Sequence, residues 1–250
     1  MTHPPVIISH RHKFIFLKPQ KVAGTSVEVA LAQHCGEDDI VTPIDAFNPE
    51  WDEDRYAHPG KEWPGYDRHA TLKGVRKQLG QEVWDAYFKF AITRNPWDLV
   101  VSQYYWAIRR DQGAVGRSLK RFWTSPVGLR RNFRTLGSSL ARNFLRMDVV
   151  TFEFFVRHML RFGEPNDPFY FDRSGSIGLD FMIRYEDLQN DYTSVCERIG
   201  LPTSALPSLK TKSRQERRHY STYYDDRTRE LVAKMYHRHL EHFGYRFDQP

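Results

Sequence analysis

The segment from Phe14 to Leu31 constrains the fold more than any other part of the chain. Phe14-Ile15-Phe16-Leu17 is a short apolar run of strand-forming residues, and Pro19 and Gly24 follow at once, so it reads as a buried strand entering a loop. Beyond the loop, Val27, Ala30 and Leu31 recur at helical spacing. Thr25, with Glu28 three residues later, has the spacing of a capping box at the start of that helix. Strand, loop and helix are thus expected in direct succession.

The same alternation returns along the chain. Phe88-Lys89-Phe90-Ala91-Ile92-Thr93 predicts a second strand, after which Asn95 suits an N-cap and Pro96 the first helical position. Val100, Val101, Tyr104, Tyr105 and Ile108 then lie on one helical face. Leu179 to Arg184 is a third strand candidate, and Asp187 to Ile199 a helix stopped by Gly200 and Pro202. Further helices are expected over 71–79, 81–87, 151–160 and 227–243. Strands alternating with helices predict an α/β fold with a central, mainly parallel sheet flanked by helices, in which ligands bind at the C-terminal strand ends.

A chain of 250 residues, 40% hydrophobic, can bury a full core, and a single domain over 1–250 is the expectation. Residues 1–12 read as a loose start. The stretch 36–68 is acidic, rich in proline and without period, and reads as an irregular loop region. The two cysteines, Cys35 and Cys196, offer neither a disulfide framework nor metal-ligand spacing, which fits a reducing compartment. The apolar run Val6 to Ile8 is too short for a signal-peptide core and no window approaches a transmembrane segment, so a cytoplasmic location is expected. The net charge of +6 allows anionic partners. The basic residues are nonetheless dispersed and no nucleic-acid-binding motif occurs, so no nucleic acid is expected as a partner.

Two segments carry the chemistry. Lys18 to Ser26, KPQKVAGTS, joins strand to helix through Lys21, Gly24, Thr25 and Ser26, small residues and a cation at a helix start where backbone N–H groups can hold a phosphate. It is not the ATPase loop, since Lys21 precedes the only glycine and no acidic residue ends the second strand to hold Mg²⁺. Alone, the segment also describes a merely capped helix. In the second, Thr93 to Ser102, Arg94 stands at a strand end, where its fork suits a phosphate dianion, and Ser102 falls about two turns into the helix. A solvent-facing Arg with a core Ser fits that segment as well.

Together the two segments resemble the sulfotransferases that use 3′-phosphoadenosine 5′-phosphosulfate (PAPS), in particular the branch of Golgi carbohydrate sulfotransferases and their bacterial relatives. The resemblance rests on Lys21, Ala23, Gly24, Thr25 and Ser26 against a PKTAGTS-like loop, and on Arg94, Asn95, Pro96, Asp98, Val101, Ser102 and Tyr104 against an RNPxDRxVSxY-like segment. Arg184-Tyr185-Glu186-Asp187-Leu188 is similar to an RYEDL segment, and Phe243-Gly244-Tyr245 to the usual ending. Gln20 stands where proline is usual, and Leu99 where arginine is common.

The resemblance implies a three-layer, P-loop-like fold. It implies that Lys21, Val22, Ala23, Gly24, Thr25 and Ser26 bind the 5′-phosphosulfate and that Arg94 and Ser102 bind the 3′-phosphate, with Arg184 beside them. Lys212, Ser213 and Arg214 resemble the basic loop that closes over the nucleotide, although a solvated charge run reads the same way. The implied product is adenosine 3′,5′-bisphosphate (PAP), with no metal. The acceptor is a hydroxyl, which the branch suggests belongs to a carbohydrate or glycolipid. Lys21 is expected to stabilise the leaving group and His69 to act as base, its ordinary pKa of about 6.5 suiting proton abstraction near neutral pH. His58, Glu62 and Asp67 are the alternatives for the base; a nucleotide-dependent phosphotransferase is the alternative activity, ahead of a basic nucleic-acid-binding protein.

Overall fold

The computed structural model describes residues 6–41, 71–106, 151–159, 166–172, 174–207 and 218–248. The chain divides into two compact units, Met1–Asn95 with Glu164–Thr211 and the terminal Pro250, and Pro96–Gly163 with Lys212–Gln249. In chain order the elements are β1 (Val6–Ser9), β2 (Phe14–Leu17), α1 (Gly24–Ala32), β3 (Ile40–Val41), α2 (Leu72–Leu79), α3 (Gln81–Ala86), β4 (Phe88–Thr93) and α4 (96–106). They continue with α5 (Phe152–Phe154, running on into a π-helical turn), α6 (Asp167–Tyr170), β5 (Phe181–Arg184), α7 (Leu188–Ile199), α8 (Asp226–Met235) and α9 (His237–Phe243).

The first unit is mixed α/β, built on a five-stranded sheet in the order β3-β1-β2-β4-β5. β2 runs parallel to β4 and β4 to β5, while β1 is antiparallel to both β2 and β3, so four of the five strands point the same way. β2 and most of β4 are buried on both faces, as unbroken apolar runs require. Phe16 stacks on Phe90 across the parallel pair at 5.2 Å between ring centroids. α1 is buried along its whole length.

Within the stretch 1–12 expected to be a loose start, Val6–Ser9 instead form β1. Val6, Ile7, Ile8 and Ser9 are fully buried, and three β-branched residues in a row fill a slot between β2 and β3. The turn after β1 is tied down by Asp39, whose carboxylate accepts from Ser9 Oγ (2.9 Å) and from the N–H groups of His10 (2.6 Å), Arg11 (3.1 Å) and Gly36 (2.9 Å). Burial opposes the charge, but these donors outweigh it and hold the Asp39 carboxyl below its ordinary pKa. The buried Cys35 thiol beside it is pushed up to about 12 by burial and by the Asp39 charge.

In the second unit, α4 begins at Pro96, and Trp97 Nε1 donates to Arg229 O at 3.0 Å while Tyr224 Oη donates to Trp97 O at 2.8 Å. Tyr104 packs edge-on against Phe152 and Phe155. α8 opens with a capping box between Asp225 and Thr228. The helix expected over 227–243 is two helices, parted at Tyr236, where φ −103° and ψ 23° leave helical geometry.

Candidate functional site

The loop from Lys18 to Ala23 connects the end of β2 to α1, at the same edge of the sheet where β4 and β5 end. Two of its residues, Lys21 (φ 64°) and Ala23 (φ 59°), are left-handed although neither is glycine. Such residues cost about 1–2 kcal/mol each and persist where the surroundings over-determine them. Left-handed residues interleaved with ordinary ones turn successive N–H groups toward one side, the geometry of a backbone anion cradle.

α1 starts at Gly24 with Ala23 as its N-cap, with no side-chain cap hydrogen bond and no acidic residue in the first turn. The capping box expected from Thr25 and Glu28 therefore does not form. Thr25 and Ser26 lie inside the first turn, both buried, and the Glu28 carboxylate pairs with Lys18 Nζ. The physical reason is the left-handed Ala23, which begins the helix two residues earlier than the box requires and places Glu28 over the Lys18 side chain. The positive end of the α1 dipole is left without a neutralising carboxylate from its own first turn. Gly24 is required for the close approach, since a Cβ there would overlap Lys18 Cγ and lie 3.1 Å from its Cδ.

Arg94, directly after β4, is 8% exposed. Its Nη1 donates to Lys21 O at 2.8 Å, and its guanidinium lies 3.9 Å from the centre of the Tyr185 ring. Glu186 Oε1 accepts from the Asn95 N–H at 2.7 Å. The RYEDL segment thus supports the end of β4 through Tyr185 and Glu186. Arg184 itself pairs in register with Thr93, is exposed, and donates its N–H to Asp191 Oδ2 at 2.6 Å.

Sequence reasoning missed Asn166. Its Oδ1 accepts from Gln20 N–H at 3.2 Å and its Nδ2 donates to Gln20 O at 3.1 Å. Proline at position 20 could not make the first of these bonds, so Gln20 has a use in this chain that the usual residue lacks. Asn-Asp-Pro before a short turn signals an N-cap, and nothing in the sequence points 146 residues back to the loop.

Lys21, Val22, Ala23, Gly24, Thr25, Ser26, Arg94 and Arg184 all belong to the first unit, at the C-terminal ends of β2, β4 and β5. Ser102 lies in α4, in the second unit, and is half-buried. His69, His58, Glu62, Asp67, Lys212, Ser213 and Arg214 lie outside the described residues. The cap of α2 is Thr71, whose Oγ1 accepts from Gly74 N–H at 3.2 Å. Among the described residues, no three His, Cys, Asp or Glu side chains gather as a metal site, and no helix is long and apolar enough to cross a membrane.

The profile of the sulfotransferase family matches residues 4–246, nearly the whole chain, and the chain belongs to that family. It is similar, at 28% identity over 130 residues, to an uncharacterized protein of Archaeoglobus fulgidus, a match covering 51% of this chain and 80% of that one. No solved structure matches it significantly.

Proposed function

We propose that the chain transfers a sulfuryl group from PAPS to an acceptor hydroxyl, releasing PAP, and that the acceptor is a carbohydrate or glycolipid. The observation that carries this reading is the loop between β2 and α1: two left-handed residues, Lys21 and Ala23, followed by a helix N-terminus without a side-chain cap. Those features fit an anionic donor, because converging N–H groups and an uncompensated helix dipole favour bound negative charge. When bound, the donor supplies the sulfuryl group and a phosphate leaving group.

The chain's own residues do the rest. The N–H groups of Val22 to Thr25 cradle the 5′ end of the nucleotide, together with the hydroxyl of Ser26, whose own N–H donates to Ala23 O at 3.1 Å. Lys21 places positive charge where negative charge develops on the departing phosphate, a contribution of about 3–4 kcal/mol. Arg94 serves the 3′-phosphate from the end of β4, beside Arg184. The sequence resemblance alone brings Ser102, Lys212, Ser213 and Arg214 into the same reading. His69 takes the acceptor proton, which requires its neutral form. No metal is required, and the sheet is that of a three-layer, P-loop-like fold. A cytoplasmic location belongs to this reading, supported by the free thiols Cys35 and Cys196.

A thermal shift comparing PAP with ATP plus Mg²⁺ tests the reading, since a ligand that binds only the folded chain raises its apparent stability. Stabilisation by PAP is expected. Stabilisation by ATP with Mg²⁺ but not by PAP overturns it in favour of a phosphotransferase.

A further inference from the structure

We propose that Asn166 is a positioning residue for the proposed transfer, holding Lys21 in its left-handed conformation by clamping the Gln20 peptide. The inference rests on the reading of Lys21 as the cation at the leaving group. The φ and ψ of Lys21 are set by the relative orientation of the two peptide planes that flank its Cα. Each plane is pinned by a different side chain. The Gln20 carbonyl, in the preceding plane, accepts from Asn166 Nδ2 at 3.1 Å, and the Lys21 carbonyl, in the following plane, accepts from Arg94 Nη1 at 2.8 Å. The second Asn166 bond, from Gln20 N–H to Oδ1 at 3.2 Å, fixes the peptide before that and allows one orientation of the carboxamide only. With both planes held, φ of +64° at Lys21 is imposed from outside rather than chosen by the residue.

Asn166 is itself carried on a rigid support. It is 3% exposed and occupies the N-cap position of α6, yet its side chain makes no cap bond there. A residue well suited to capping directs its carboxamide to the loop instead. Behind it, Tyr170, 1% exposed, donates its hydroxyl to Ile92 O at 2.8 Å, and Gly178 N–H donates to Tyr170 O at 2.9 Å. Ile92 lies in β4, two residues before Arg94, so both arms of the clamp are anchored to the end of one strand. A group acting through its placement of another loses its effect when that other group is removed.

The test is a double-mutant cycle on steady-state transfer from PAPS to a working acceptor, with Asn166→Ala in the natural chain and in Lys21→Ala. The expected result is a fall in kcat of about 10- to 100-fold when Lys21 is present, and of less than about threefold when it is absent. Equal falls in the two backgrounds, or a fall below about threefold with Lys21 present, overturn the proposal. Should Asn166→Ala not fold, Asn166→Asp keeps the acceptor for Gln20 N–H and loses only the donor to Gln20 O, and the same outcomes apply. A natural chain that transfers nothing from PAPS and binds no PAP overturns the functional reading itself, whereas an active natural chain with an unaffected Asn166→Ala overturns the clamp alone.

Discussion

Removing the cation of the Lys18–Glu28 pair while leaving the anion in place probes the base of the loop. Glu28 is fully buried in the middle of α1, and the Lys18 side chain is only 14% exposed, its stem packed under Gly24. Lys18→Met keeps an unbranched apolar stem in that space and deletes the ammonium, which leaves a buried carboxylate short of its cation. Breaking a buried pair from one side costs about 3–5 kcal/mol. The double variant Lys18→Met with Glu28→Leu removes both charges at similar volume, and such replacements are close to neutral. The expected pattern is therefore a large loss in the single variant and recovery of most of it in the double, a coupling of about 3 kcal/mol. Urea unfolding at constant pH reads it directly. Lys18→Met unfolding within about 1 kcal/mol of the natural chain would refute the claim that the pair is a buried brace.

Three further outcomes follow from named groups. Asp39 has its pKa held down in the folded chain, so its contribution is present at neutral pH and is lost as pH falls through its unfolded value of about 3.9 toward the folded one. Asp39→Ala leaves its donors unmatched, costs about 3–5 kcal/mol in urea unfolding at pH 7 and removes part of the acid-side slope. His239 is 1% exposed, and burial lowers its imidazole to about 3, so from about pH 6.5 downward the unfolded chain takes up a proton that the folded chain refuses. Unfolding free energy should drop by about 2 kcal/mol between pH 7.5 and 5 on this account, and His239→Leu should flatten that drop; an unchanged slope counts against it. His69→Ala should abolish transfer while PAP binding persists. Equal turnover in variant and natural chain removes His69 as the base.

Much of the first unit is legible from local sequence because its strands are short, unbroken apolar runs with hard stops. β2 ends before Pro19 and β4 before Arg94-Asn95-Pro96, and both occupy the expected residues. α2 likewise covers the expected stretch but for its first residue, Thr71, which is the cap. β1 was hidden because three apolar residues after two prolines carry no period, and their strand character comes from pairing on both sides with distant partners. β3 has only two residues and no signal of its own. The start of α1 departs from the expected one for a different reason. Thr25 and Glu28 have the right spacing for a box, but Ala23 adopts a conformation that alanine does not favour, and Glu28 is drawn to Lys18. Family resemblance marks the loop and Arg94 as the candidate site, whereas the Asn166 contact joins residues 146 apart in sequence that only folding brings together.

The most direct measurement of the central claim is sulfur-35 PAPS incubated with the chain and a panel of carbohydrate and glycolipid hydroxyl acceptors. The account predicts label appearing on an acceptor with matching release of PAP, and its loss in Lys21→Ala by about 10²- to 10³-fold. No labelled acceptor, together with no binding of PAP by calorimetry, would contradict it.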